Sequence, residues 1–477
     1  MDLLAKKLQH IIKQLENRKN LIFLKSYNNC YTYLDLANQI FGYTKAQTNQ
    51  SKYFAISENK NLEAYSQVIA SLIVNVPFIP IPKCWPLEKK NNFINDYKLS
   101  KMLKNNSIEK QNPFEGILYF LENQEYKNTL AYIYSTSGSS GEPKLIKISR
   151  DNFYYFLESL EELNLAPYPL TLSQTFELSF DPSLADLFLT ISNQNIMVAL
   201  QEQNKYNLFE YIEKNNIHFC SLVPSLAQMN IERARNVTVQ PIHHLKTTIF
   251  TGEELSSQLV DEWRRIFPNS KIYNFYGPTE STVWSHYYGV SENLKNLKIP
   301  IGVKLKNVLH TIHNGELLIG GNQLTEGYFN VEENKNRFIK DSDNNIWFKT
   351  GDFVDIDEEN NLIFKCRKDR QIKIGGRRFD LSEIEYLAQQ ANQQVKLTAL
   401  PLKKENKIIG TQVVFYNDTR VDDIHKIIDV WRKNLATVFI PKKFFISNKI
   451  PINNSHKIDW NKIVGNIENG KYKELEL

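Results

Sequence analysis

Through the first 300 residues, short β-rich runs alternate with stretches whose apolar positions follow helical spacing, and this alternation limits the folds open to the chain. "NIMVAL" (195–200), "IHFCSLV" (217–223) and "LKTTIFTG" (245–252) have the length and side chains of buried strands, and "ASLIVNVPFIPIP" (70–82) reads as another. "LFEYIEKN" (208–215) and "SSQLVDEWRRIF" (256–267) read as helices with one apolar face. Strand followed by helix requires crossover connections, so the expected class is α/β with mixed, largely parallel sheets. After residue 300 the pattern changes: "GELLIGG", "WFKTGDFVDID" and "LIFKCRKDRQIKI" read as short strands between turns, then "LSEIEYLAQQ" as a helix. The charged "CRKDRQ" segment is the expected boundary between a large N-terminal domain, 1–368, and a small α+β domain, 369–477.

Composition narrows the class. With 42% hydrophobic and 23% charged residues, the 477-residue chain reads as an ordinary globular protein with room for sizeable cores. Its net charge of +5 is spread along the length, which argues against nucleic acid, and Lys-rich runs such as 403–407 read as solvated faces. Cys30, Cys84, Cys220 and Cys366 lie far apart with no C-x-x-C pair, which fits a reducing, cytoplasmic setting. "MDLLAKKLQHIIKQLENRKN" places Leu4, Leu8, Ile11, Ile12 and Leu15 at helical spacing, interrupted by charges. That is an amphipathic helix packed on its own domain, neither a signal peptide nor a membrane span.

"YSTSGSSGEPK", residues 134–144, concentrates five small hydroxyl side chains, two glycines and a lysine. Glycine lets a backbone approach a ligand closely, and successive N–H groups in such a loop form an anion-binding nest. With Ser135, Thr136, Ser137, Ser139 and Ser140 as donors and Lys144 as a full charge, the loop suits phosphate. It is not a P-loop, because Pro143 precedes the lysine where that pattern needs glycine. Alone, a Ser/Gly-rich turn is more often a plain connection. Two further segments bear on the choice. "IYNFYGPTESTVW" (272–284) offers Tyr276, able to stack on a purine, and Glu280, able to hold Mg²⁺ beside phosphates. "FKTGDFVDID" offers Asp352, a short acceptor suited to the hydroxyls of a ribose.

The ordered series "YSTSGSSGEPK", "NFYGPTE", "GELLIGGNQLTEGYFN", "FKTGD", "CRKDRQIKIGGRRFDLSEIE" and "PINNSHKID" resembles the adenylate-forming superfamily of amino-acid adenylation domains, acyl-CoA synthetases and luciferases. The resemblance implies a large N-terminal domain and a small mobile lid, with ATP and Mg²⁺ as cofactors. By matching position, Thr136, Ser137, Gly138, Ser139, Ser140, Gly141 and Lys144 would handle the ATP phosphates, with Gly252 also in the nucleotide site. Asn274 and Tyr276 would contact adenine, Asp352 and Arg367 the ribose, and Thr279 and Glu280 the phosphates and Mg²⁺. Asp369 would be the hinge, and Lys457 the catalytic lysine that the lid inserts.

"ELSFDPSLADLF" (177–188) bears on the substrate. In amino-acid adenylation domains, a Phe-Asp pair here sets a carboxylate against the substrate ammonium, and Phe180-Asp181 matches it. Read without the family, Asp181 before Pro182 could simply cap a helix. "CSLVPSLAQM" and "IFTGEELS" resemble stand-alone D-alanine:carrier protein ligases, so D-alanine is the named candidate. Phe275, Val283 and Trp284 would line a narrow pocket with Thr251, which stands where those ligases usually carry cysteine. Pro182 and Ala185 are expected in a loop that varies with substrate. Further departures are Leu145-Ile146 after the phosphate-loop lysine, Arg150 in place of a common histidine, and His456 in place of glycine. Only twenty residues follow Lys457, so the phosphopantetheinylated carrier protein is expected in trans, with Gly375 and Gly376 letting its arm pass close to the backbone. An acyl-CoA synthetase acting on a non-amino acid, and an inactive binding member of the family, are the alternatives.

Overall fold

The computed structural model describes residues 2–46, 52–105, 111–127, 129–136, 144–234, 239–292, 299–367, 370–392, 395–404, 407–416, 421–451 and 459–476, with the backbone alone at Thr136, Cys366, Val421 and Asn461. The chain divides into two compact units. The first comprises 1–83, 97–135 and 145–368, and the second 84–96, 136–144 and 369–477.

Nine strands form the main sheet of the first unit. Their order is Val303–Lys304, His286–Gly289, Lys271–Tyr276, Thr247–Thr251, Phe219–Leu222, Thr171–Gln174, Ile196–Ala199, Ile22–Ser26, Asn29–Thr32. Neighbours from Lys271–Tyr276 through to Ile22–Ser26 run parallel, while the outer strands add antiparallel edges. Thr247–Thr251 and Phe219–Leu222 are buried at every position, as parallel strands covered on both faces must be. A second sheet contains Phe54–Ser57, Phe78–Ile81, Leu130–Thr136 and Lys144–Ser149. The third is antiparallel, built on Val308–His313, Glu316–Gly321, Ile346–Ile356, Phe338–Lys340 and Leu362–Arg367. Helices between the parallel strands make the unit α/β.

The segment 70–82 is not one strand. Ala70 to Ile73 close the helix Leu62–Ile73, and only Phe78–Ile81 is extended. All residues of that helix except Glu63 and Gln67 are buried, so it lacks the polar face that separates helix from strand in sequence. The terminal helix Leu3–Glu16 does bury Leu4, Leu8, Ile11, Ile12 and Leu15, packing on the helices Pro113–Asn123 and Arg150–Leu163. Arg150 explains its own departure from histidine. Buried to 2% exposure, it pairs with Asp2 at 2.7 Å, donates to the Leu72 carbonyl and stacks over Tyr126.

In the second unit, the hairpin Gln371–Ile374/Arg377–Asp380 precedes the helix Ser382–Ala391. A four-stranded sheet follows, Lys396–Lys404, Lys407–Tyr416, Lys443–Ser447 and Lys473–Leu475, with the helices Val421–Asn434 and Trp460–Glu468. The helix Leu87–Asp96 also belongs here: Lys89 Nζ donates to the Asn434 carbonyl at 2.9 Å and faces the Glu383 carboxylate at 3.4 Å. Among the described residues, no helix is long and apolar enough to cross a membrane.

Candidate active site

The carboxyl ends of the central parallel strands, where ligands of open α/β sheets bind, carry Thr251, Gly252, Asn274, Phe275 and Tyr276. Asn274 and Tyr276 end the strand Lys271–Tyr276, and a 3₁₀ turn, Thr279–Ser281, holds Thr279 and Glu280. Asn274 is buried, its amide donating to the Pro300 carbonyl at 2.8 Å. The Tyr276 hydroxyl donates to Asp352 Oδ2 at 2.5 Å. Burial, and then the charge of Asp352, push the phenol well above its ordinary range, so it stays a donor. Arg367, paired with Asp352 across the strands Ile346–Ile356 and Leu362–Arg367, reaches its Oδ1 at 2.7 Å and the Thr350 carbonyl at 3.1 Å. Gly351 takes φ of +75°, a conformation that glycine adopts without strain, and its N–H donates to Glu316. Tyr276, Asp352 and Arg367 therefore converge. A carboxylate has about four acceptor positions and these two donors use two, leaving capacity for a diol.

Glu280 is fully buried, and the Tyr328 hydroxyl donates to its Oε1 at 2.6 Å. Among the described residues there is no cluster of three or more His, Cys, Asp or Glu able to hold a metal by themselves. One buried carboxylate fits Mg²⁺ bound chiefly through phosphates and water.

Asp181 begins the helix Pro182–Ser192 and is 4% exposed, yet its side chain makes no capping hydrogen bond. Capping is not what places a carboxylate there. Pro182 and Ala185, expected in a loop, belong to this helix, because the fixed φ of proline suits a first helical turn.

The expected pocket wall is packed shut. Thr251, Phe275, Val283 and Trp284 are 2%, 1%, 1% and 0% exposed. The Phe275 and Trp284 rings lie 4.5 Å apart, Phe156 meets Trp284 edge-on, and Tyr287 stacks on Phe275. Trp284 Nε1 donates to Thr251 Oγ1 at 3.0 Å. The backbone before Trp284 is strained, with φ of +59° at Thr282 and +67° at the β-branched Val283. Gln323, fully buried, holds this turn: its side-chain amide donates to the Trp284 carbonyl at 2.9 Å, and its main-chain carbonyl accepts from the Thr282 hydroxyl at 2.6 Å. Gly277 abuts the same turn, where an added Cβ would lie 2.7 Å from the Trp284 Cα. These rings fill space and expose almost none of their surface.

Gly252 has φ of +88°, and Gly375 and Gly376 have φ of +58° and +76°. Thr136 ends the strand Leu130–Thr136 and Lys144 opens the strand Lys144–Ser149. Ser137, Gly138, Ser139, Ser140, Gly141, Asp369, His456 and Lys457 lie outside the described residues. Sequence reasoning missed Tyr328 and Gln323 as individual residues, although both fall within the quoted "GELLIGGNQLTEGYFN". Nothing in that motif marks either side chain as the partner of Glu280 or of the Trp284 turn.

A family model described as AMP-binding enzyme matches residues 66–329, more than half of the chain. The chain belongs to that family. It is 26% identical over 458 residues to the D-alanine–D-alanyl carrier protein ligase of Bacillus licheniformis, covering 87% of this chain and 89% of that protein. It is 24% identical over 465 residues to bacitracin synthase 1, also of Bacillus licheniformis, covering 94% of this chain but spanning only 9% of that relative's length. The fold superposes on the Vibrio cholerae adenylation domain AlmE, solved in complex with glycyl-adenosine-5'-phosphate, with a TM-score of 0.86, 20% identity and 98% of each chain covered.

Proposed function

We propose that the chain activates a small amino acid as its aminoacyl adenylate and passes the aminoacyl group to the phosphopantetheine thiol of a carrier protein in trans. The observation that carries this reading is Asp181, a buried carboxylate at the head of a helix it does not cap. A carboxylate at this place is complementary in charge to a substrate ammonium, which a fatty acid does not offer. A wall as closed as Thr251, Phe275, Val283 and Trp284 would suit a small side chain, with glycine and D-alanine as the candidates. D-alanine is in the name of the ligase and glycine is in the AlmE complex, and the fullness of the wall favours glycine.

In the first step, a substrate carboxylate oxygen bonds to the α-phosphorus of ATP, and the bond to the bridging oxygen breaks to release pyrophosphate. Asp352, oriented by Tyr276 and Arg367, would accept from the ribose hydroxyls. Thr279 and Glu280 would face the phosphates, with Glu280 held by Tyr328 as the protein ligand of Mg²⁺. The ion supplies charge neutralisation at the phosphoryl oxygens. The loop 137–143 with Thr136 and Lys144 would cradle the phosphates, and Lys457 would stabilise the developing charge. In the second step the thiol attacks the acyl carbon and AMP leaves. Residues 369–477, turning about Asp369, would act as the lid that exchanges these two arrangements.

The test is ATP–pyrophosphate exchange with glycine, both alanine enantiomers, serine, acetate and propionate, followed by acyl transfer to carrier proteins and to coenzyme A. Exchange that depends on glycine or D-alanine supports the reading. Preference for acetate or propionate, with efficient transfer to coenzyme A, replaces it with the acyl-CoA synthetase reading.

A further inference from the structure

Lys60 is a buried lysine that no step above uses, and its surroundings show what it does. Its side chain is 6% exposed, and its ammonium donates to the Thr175 carbonyl at 2.7 Å and the Leu200 carbonyl at 3.2 Å while pairing with Glu177 Oε1 at 3.2 Å. An ammonium has three hydrogens, and here three acceptors surround it. No donor remains for a ligand, so Lys60 acts on the protein itself. Its carbonyl is fixed too, accepting from the Ser26 hydroxyl at 2.8 Å.

The acceptors identify what is being held. Thr175 and Leu200 immediately follow the adjacent parallel strands Thr171–Gln174 and Ile196–Ala199, and Glu177 lies in the six-residue connection, 175–180, that delivers Asp181. This connection has no regular structure and is tied by side chains instead. Besides Lys60, the Tyr134 hydroxyl donates to the Leu178 carbonyl at 2.6 Å, and the Ser179 hydroxyl donates to the buried Glu58. Glu58 and Lys60 both sit just after the strand Phe54–Ser57, so one short stretch grips the connection at two places.

We infer that Lys60, seconded by Glu58, is a positioning residue for amino-acid recognition, holding the 175–180 connection so that Asp181 meets the substrate ammonium. A buried ion pair is weak as a source of stability, because apolar residues of similar volume often do as well. What Lys60–Glu177 supplies is a fixed geometry for the connection that delivers Asp181. The inference rests on the reading of Asp181 as the ammonium partner.

The test is ATP–pyrophosphate exchange by Lys60→Met and Lys60→Arg, with KM measured separately for glycine or D-alanine and for ATP. Misplacing a binding group slightly is expensive, so Lys60→Met should raise the amino-acid KM by about tenfold or more. The ATP KM should stay within about twofold, and Lys60→Arg, which keeps the charge, should recover part of the loss. A general structural role would instead lower activity towards both substrates together. If Lys60→Met does not fold, Glu177→Gln carries the test with the same expected split, since Glu177 also pairs with the more exposed Lys205 at 3.1 Å. Equal changes in both KM values, or no change in either, overturn the inference. Wild-type protein without amino-acid-dependent exchange overturns the reading of Asp181 instead, so the two failures are distinguishable.

Discussion

The indole N–H of Trp284 donates to the Thr251 hydroxyl at 3.0 Å, and this bond fixes the largest side chain of the proposed substrate wall. Its backbone is fixed independently by Gln323 and its ring by Phe275, so the wall cannot open by a simple rotation. Replacing the acceptor, as in Thr251→Val, leaves a buried donor without its partner at a cost of about 1 to 3 kcal/mol. A lower melting temperature and weaker discrimination between glycine and D-alanine are expected. Trp284→Ser should go further and admit valine or leucine, shifting the ratio of kcat/KM values against glycine by about tenfold or more. Unaltered selectivity in Trp284→Ser would show that the wall lies elsewhere.

The Tyr276–Asp352–Arg367 arrangement makes a separate prediction about ATP. Tyr276→Phe and Arg367→Ala each remove one of the two bonds that orient Asp352, so the ATP KM should rise by about tenfold, with the amino-acid KM affected much less. 2',3'-Dideoxy-ATP lacks the hydroxyls that Asp352 is proposed to accept from. With that analogue, wild type and variants should differ little, and an equal loss with both nucleotides would remove Asp352 from the ribose.

Glu383 gives the second unit a pH dependence. Burial raises its carboxyl from 4.5 to about 7, against the opposing charge of Lys89 at 3.4 Å. A carboxyl whose folded value lies above its unfolded one binds more protons in the folded state, so stability is present at low pH and declines as pH rises from about 4.5 to about 7. The decline amounts to about 3 kcal/mol. Glu383→Gln cannot titrate, so its stability curve from pH 4.5 to 8 should be flatter than that of wild type in denaturant unfolding. Parallel curves would show that Glu383 does not drive the decline.

Much of this architecture was legible because periodicity and motif order survive in the chain. The strands at 195–200, 217–223 and 245–252 were readable, since a buried parallel strand is a short apolar run with few look-alikes. The helix 62–73 failed for the same reason inverted, because burial on nearly all sides erased its polar face. Asp181, Tyr276, Glu280 and Asp352 are candidates because a motif marks each of them. Tyr328, Gln323 and Lys60 are not marked so, since what assigns them is contact across 48, 39 and 115 residues of chain, which no local pattern encodes.

Lys457 carries a prediction from its motif alone. Lys457→Ala should reduce pyrophosphate exchange by about 10²-fold or more through loss of a charge that stabilises the phosphoryl transition state. Transfer from a preformed aminoacyl adenylate to the thiol should be largely spared, because the proposed lid presents this lysine only for the first step. Exchange at the wild-type rate would sink the assignment.

Asp181 decides whether the substrate is an amino acid at all. Asp181→Ala removes a carboxylate that is 4% exposed and makes no helix-capping bond, so loss of a cap is not among its effects. If that carboxylate meets the substrate ammonium in a partly desolvated site, its loss leaves the ammonium unmatched at a cost of about 2 to 5 kcal/mol. The amino-acid KM or kcat/KM should bear that cost while the ATP KM stays near wild type. Des-amino acids such as acetate and propionate lack the ammonium, and against them the variant should do no worse than wild type. A variant that still uses glycine or D-alanine normally would show that Asp181 does not read the ammonium, and a wild type that already prefers propionate would show that no ammonium is read.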